Sequence, residues 1–109
     1  MPADEHVSPI QFITYHDVTE ALGRSTRTHQ VRAYGRTGFQ VGAMTWTAKE
    51  IGNIHADIPR RGIATALWNE GHRLAAENRR IPTPKHSALR TEAGDAWARS
   101  VGGRLPRRK

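Results

Sequence analysis

The chain contains no cysteine. Disulfides, thiolate metal sites and a cysteine nucleophile are therefore excluded. Lysine is scarce: Lys49, Lys85 and Lys109 are the only ones, so arginine supplies most of the basic charge. Aromatic residues make up 6% of the chain. They are not interleaved with the basic residues, as a base-stacking surface would need. No run approaches the ~18 apolar residues that span a bilayer, and no membrane partner is expected. Met1 to Pro9 is polar and acidic, without the apolar core of a secretory signal, so a cytoplasmic address is expected. The histidines have no metal-ligand spacing, and no metal is expected. No Gly-Lys-Ser/Thr follows a glycine loop, and no three-glycine dinucleotide fingerprint occurs.

What is there fits one soluble domain. The length is 109 residues, with 37% hydrophobic and 25% charged residues. Net charge is +7, from 17 basic and 10 acidic residues. Residues 1–23 hold acids but no Lys or Arg, whereas Arg104, Arg107, Arg108 and Lys109 crowd the end. Such a surface attracts polyanions, including nucleic acid and coenzyme phosphates. Residues 1–8 read as a disordered lead, 9–103 as one domain and 104–109 as a basic tail.

Ile10 to Tyr15 alternates and is rich in β-formers, so it predicts a first strand. Asp17-Val-Thr-Glu20 has the form of a capping box, with Gly23 as a stop, and suits one helical turn. Thr28–Tyr34 and Phe39–Thr47 predict a hairpin around Gly35–Gly38. Ile51–Ile58 predicts a fourth strand, closed by Pro59. Gly62–Arg80 predicts a long helix with Ile63, Leu67, Gly71, Leu74 and Ala75 on one face. Gly71 in mid-helix costs roughly 1 kcal/mol against alanine, which a close approach to the sheet would offset. Thr91–Val101 predicts a short helix whose apolar side is Ala93, Ala96, Trp97 and Val101. Trp46, Trp68, Trp97, Phe12, Tyr15, Tyr34 and Phe39 read as core. The expected class is α+β.

The chemistry concentrates between Ile58 and Thr65. A strand ends, a basic glycine turn follows, and a helix begins. The first amides of a helix lack internal partners, and its dipole favours negative charge there. Gly62 carries no Cβ, and Ala64 is the next smallest choice. Arg60 and Arg61 add forked donors, and Thr65 adds a hydroxyl. These residues point to a phosphate or pyrophosphate site.

The run Glu50-Ile-Gly-Asn-Ile-His-Ala-Asp-Ile-Pro-Arg-Arg-Gly-Ile-Ala-Thr-Ala-Leu-Trp68 resembles motif A of the GNAT family of N-acetyltransferases. That motif is a strand, an Arg/Gln-x-x-Gly-x-Gly/Ala turn and a helix holding acetyl-CoA pyrophosphate. Arg90–Gly103 resembles the late helix and glycine of motif B. Together the two cover about half the chain, which looks most like the short GNAT-like proteins of actinobacteria and their phages. The resemblance implies a mixed, mostly antiparallel GNAT-like sheet with a long helix after the fourth strand and a short C-terminal helix. It implies acetyl-CoA as acyl donor, held by Ala56, Ile58, Arg60, Arg61, Gly62, Ile63, Ala64 and Thr65, with Ala56 and Ile58 pairing the pantetheine arm like an added strand. It implies direct acetyl transfer to an amine, on a small molecule or a protein, and short chains of this kind often form homodimers. The sequence departs from the pattern in three places. Pro59 stands where the family has Arg or Gln, the late tyrosine falls near Ala98, and the helices after the first strand shrink to one turn.

His55 and Glu50 lie on or beside the fourth strand, where the family often places its base. Strand alternation puts them on opposite faces, so one of them serves at most. His55 is the better choice, since histidine changes charge near neutral pH. His86 sits on a loop before the last helix, either near substrate or solvated. Two other readings compete with the acetyltransferase. One is an inactive acyl-CoA-binding or protein-interaction module on the same fold. The other is a small basic nucleic-acid-binding protein.

Overall fold

The computed structural model describes residues 8–58 and 61–108. Four strands come first: β1 (Phe12–Asp17), β2 (His29–Tyr34), β3 (Gln40–Trp46) and β4 (Ile51–Ala56). Two helices follow, α1 (Ile63–Glu77) and α2 (Glu92–Val101). The strands form one sheet in the order β1-β2-β3-β4, with every pair antiparallel. The class is α+β. Among the described residues no helix is long and apolar enough to cross a membrane.

The expected mixed sheet is not realised among these residues. A parallel strand after α1 would have to come from residues 81–90, but Pro82 and Pro84 have no N–H to donate. The segment makes a single backbone bond to β4, Ile51 N–H to the Lys85 carbonyl at 2.7 Å. β1 starts two residues later than expected, because its register is set by pairing Phe12 with Tyr34 and Asp17 with His29. β4 ends at Ala56, ahead of the expected Ile58.

Both helices lie on one side of the sheet. Val31, Ala33, Met44 and Trp46 point toward α1 and are fully buried, against Ile63, Leu67 and Trp68. The Trp46 indole N–H donates to the Pro82 carbonyl at 2.7 Å, which draws the 81–84 loop over the core. Among the described residues the opposite sheet face has no layer on it. Phe12 and Tyr34 therefore stack on each other at the surface, with centroids 5.0 Å apart, and Phe39 is 76% exposed. Phe12 and Tyr34 are not core because helices cover one face only. Phe39 lies in the turn before β3, and Tyr15, opposite Val31 on the helix side, sits on the outer strand β1 beyond the reach of α1, its hydroxyl 2.7 Å from His29 Nδ1.

α1 stops at Glu77, short of Arg80, because Asn78 is extended and its side chain accepts the Arg80 N–H. Gly71 meets Pro84 and Met44: a Cβ there would lie 2.6 Å from Pro84 Cγ and 3.0 Å from Met44 Cε. On α2 the fully buried residue is Ala98, whereas Ala93 and Ala96 face outward. The expected apolar side is thus rotated toward Ala98, Trp97 and Val101.

Asp17 caps the expected single helical turn, in which the Leu22 N–H donates to the Val18 carbonyl at 3.0 Å and Gly23, at φ 63°, is the stop; the return bond from Glu20 that completes a capping box is not made. Asp17 Oδ1 accepts the Thr19 hydroxyl at 2.6 Å and the Thr19 N–H at 3.0 Å, and Arg27 pairs with Oδ2. These bonds, the Thr19 hydroxyl first, hold the Asp17 carboxyl down at about 2. A folded value below the unfolded one means that protons favour the unfolded chain. The turn's contribution is complete above pH ~4 and is lost as pH falls from there toward 2. Thermal melts at pH 5 and pH 2.5 check this: Asp17→Asn should shrink the difference between them.

Candidate functional site

β4 is an edge strand, since no strand lies beyond it among the described residues. The Asp57 N–H donates to Val41 on β3 at 2.8 Å. Backbone alternation then turns the His55 N–H toward β3 and the Ile54 and Ala56 N–H groups toward the open edge. The register shifts at Trp46, so Gly52 is an extra residue in β4.

α1 begins beside the far end of this edge. Gly62 is its N-cap, with φ 77° in the left-handed region, and no side chain caps the helix. A Cβ on Gly62 would meet nothing within 4 Å. Backbone conformation is therefore a reason for glycine here, alongside room for a ligand. The first internal bond runs from Ala66 N–H to the Gly62 carbonyl. The amides of Ile63, Ala64 and Thr65 have no helical acceptor, and the first turn contains no acidic residue.

These amides open onto a cleft of about 800 Å³ lined by Ala56, Ile58, Gly62, Ile63, Ala64 and Thr65 from β4 and α1. Ala93, Ala96 and Trp97 of α2 form its other wall. The small alanines keep it wide. The Trp97 indole N–H donates to Thr65 Oγ1 at 3.1 Å, tying the two helices together across it. The hydroxyl proton of Thr65 is left to donate. No family model, curated protein or solved structure matches this chain.

Of the expected coenzyme residues, six thus share one cleft. Arg61 is exposed and lies outside its lining. Arg60 and Pro59 lie outside the described residues. His55 sits on the uncovered face of the sheet, and its Nε2 lies 2.9 Å from Asp57 Oδ1. Asp57 is a neighbour that the motif does not name, and strand alternation, which puts residues 55 and 57 on one face, is the signal that finds it. Glu50 is at the other end of β4, in a turn where its carbonyl accepts the Thr47 N–H. The structure does not bring Glu50 and His55 together.

Two further hollows continue along the β4 edge. A small one of about 210 Å³, between residues 51–54 and 86–91, shares Trp97 with the cleft. A third, of about 560 Å³, shares His86 with the small one and includes Glu50. His86 is buried, stacked on Trp68 at 4.2 Å between centroids, with its Nε2–H donated to the Gly102 carbonyl at 2.8 Å.

Proposed function

We propose that the protein binds acetyl-CoA in the cleft at the start of α1 and transfers the acetyl group to an amine, as the GNAT resemblance implies. The carrying observation is that cleft itself. Uncapped helix amides, an open strand edge and an apolar wall meet in one space. The pyrophosphate would take the amides of Ile63, Ala64 and Thr65. The pantetheine amides would bond the free N–H and C=O groups of Ala56 and its neighbours along β4. Ala93 and Ala96 leave room for the arm, and Arg61 adds charge from outside.

In direct transfer the amine nitrogen attacks the thioester carbonyl carbon. The carbon–sulfur bond breaks, sulfur leaves as a thiolate, and the amine gives up a proton that reaches the thiolate by way of the base and solvent. His55, oriented by Asp57, is the proposed acceptor of that proton. Glu50 is too far along the strand to serve the same amine. A carrier without catalysis has one observation in its favour: Ala98, near where the family has its tyrosine, is fully buried. A side chain at that position would not reach the cleft.

Calorimetry with acetyl-CoA tests binding, and thiol release across a panel of amines tests transfer. His55→Ala is expected to lower turnover roughly 100-fold, within the usual range for a general base, with little change in acetyl-CoA affinity. Equal turnover would remove His55 from the mechanism. Binding without thiol release from any amine would establish the carrier instead.

A further inference from the structure

The hollow at the start of β4 is lined by Lys49, Lys85 and Arg104 and by one carboxylate, Glu50. None of the four forms an ion pair among the described residues. Arg27, Arg73, Arg90 and Arg99, by contrast, each have a carboxylate partner. Three cations against one carboxylate leave two positive charges in excess. The backbone holds these residues in place. The Lys85 carbonyl takes the Ile51 N–H, and the Lys49 N–H donates to Thr47 Oγ1 at 3.2 Å. Arg104 follows Gly103, which has φ 90° and packs against Trp68 and His86.

Two imidazoles complete the lining. His72 donates its Nδ1–H to the Trp68 carbonyl at 2.8 Å, and His86 donates its Nε2–H to the Gly102 carbonyl. A carbonyl has no proton to give, so the protons sit on those nitrogens. His72 Nε2 and His86 Nδ1 have no partner among the described residues, and neither is a buried unpaired atom, so both reach the surface of the hollow. Both rings lie against Trp68, with centroids 4.3 and 4.2 Å from it.

We propose that this hollow binds a small phosphate-bearing molecule, its phosphate held by Lys49, Lys85 and Arg104 and facing the two imidazoles. A phosphomonoester, with about −1.5 to −2 charge at neutral pH, matches the excess. Along α1, His72 lies nine residues, about 14 Å, beyond Ile63. The site is therefore separate from the one assigned to acetyl-CoA and stands whether or not acetyl-CoA binds.

The test is a titration of the protein, without acetyl-CoA, with inorganic phosphate at constant pH and ionic strength. Histidine ring protons are followed by NMR. Saturable shifts are expected for His72 and His86, with His16 and His55 unmoved. Lys85→Ala should weaken binding about fivefold, the size of an exposed charge pair. Glu50→Gln should tighten it. Arg73→Ala removes the same charge from the far side of α1 and should change the affinity less than twofold. Unsaturable shifts, equal weakening by Arg73→Ala, or no gain from Glu50→Gln would overturn the site. A single-stranded oligonucleotide lacking a terminal phosphate is the second arm. If it shifted the same rings at lower concentration than phosphate, the ligand would be a phosphodiester strand and the proposal would fall.

Discussion

Ala64→Asp is expected to leave the protein folded and to remove acetyl-CoA binding. Residue 64 is the second of α1, and its amide is one of those without a helical acceptor. A carboxylate in the first turn of a helix faces the positive end of the dipole and adds about 0.3–1 kcal/mol of stability. The same carboxylate would stand in the cleft where a pyrophosphate must sit. Like charges at contact cost several kcal/mol, so affinity should fall roughly 100-fold or more, about 3 kcal/mol. Calorimetry and a thermal melt read the two effects separately. Gly62→Asp carries the same charge but sits at φ 77°. It should also lose about 1–2 kcal/mol of stability to left-handed strain. Wild-type affinity in Ala64→Asp would detach the coenzyme from this cleft, whereas lost affinity with an unchanged melt would not trace to unfolding.

Gly42→Val is expected to destabilise the whole domain. Gly42 faces α1 from β3, next to the fully buried Met44. A Cβ there would lie 2.6 Å from Ile63 Cγ2, 2.8 Å from the His55 carbonyl oxygen and 3.4 Å from Leu67 Cδ1. The His55 oxygen belongs to the backbone of β4, so it moves only if the β3–β4 ladder opens. Overpacking of a core typically costs 1–3 kcal/mol, and a clash with backbone belongs at the upper end, about 3 kcal/mol. For a domain of this size the melting temperature should fall by roughly 10–20 °C. A melt within a few degrees of wild type would mean that α1 does not rest on β3 as described. The same contact matters for the cleft. It is by lying against Gly42 that Ile63 brings the start of α1 to the end of β4. Milder substitutions here should therefore weaken acetyl-CoA binding before they unfold the protein.

Much of this architecture is legible in local patterns. The hairpin between β2 and β3 follows from alternation around a turn with glycine at both ends. α1 follows from Ile63, Leu67, Gly71 and Leu74 at helical spacing. The anion-binding character of residues 62–65 follows from the type and order of a few neighbouring side chains. Legibility ends where faces must be chosen. The helix-period pattern of α2 suits several rotations, and only packing decides that Ala98 goes inward and that Ala93 and Ala96 line the cleft. Phe12 and Tyr34 have the composition of core residues, yet their sheet face carries no layer among the described residues. Residues 81–90 hold no cue that separates a poor strand from a loop, apart from the two prolines that settle it.

The sequence by itself determined the elements, their order and one short stretch of anion-binding chemistry, because each depends on residues within a turn or two of one another. Tertiary structure alone decided that β4 is an edge strand among the described residues and that α2 walls the space before α1. It also decided that Lys49, Lys85 and Arg104, far apart in the chain, converge on one hollow beside a buried histidine. Those juxtapositions depend on which surfaces pack together, and no local run of residues encodes that.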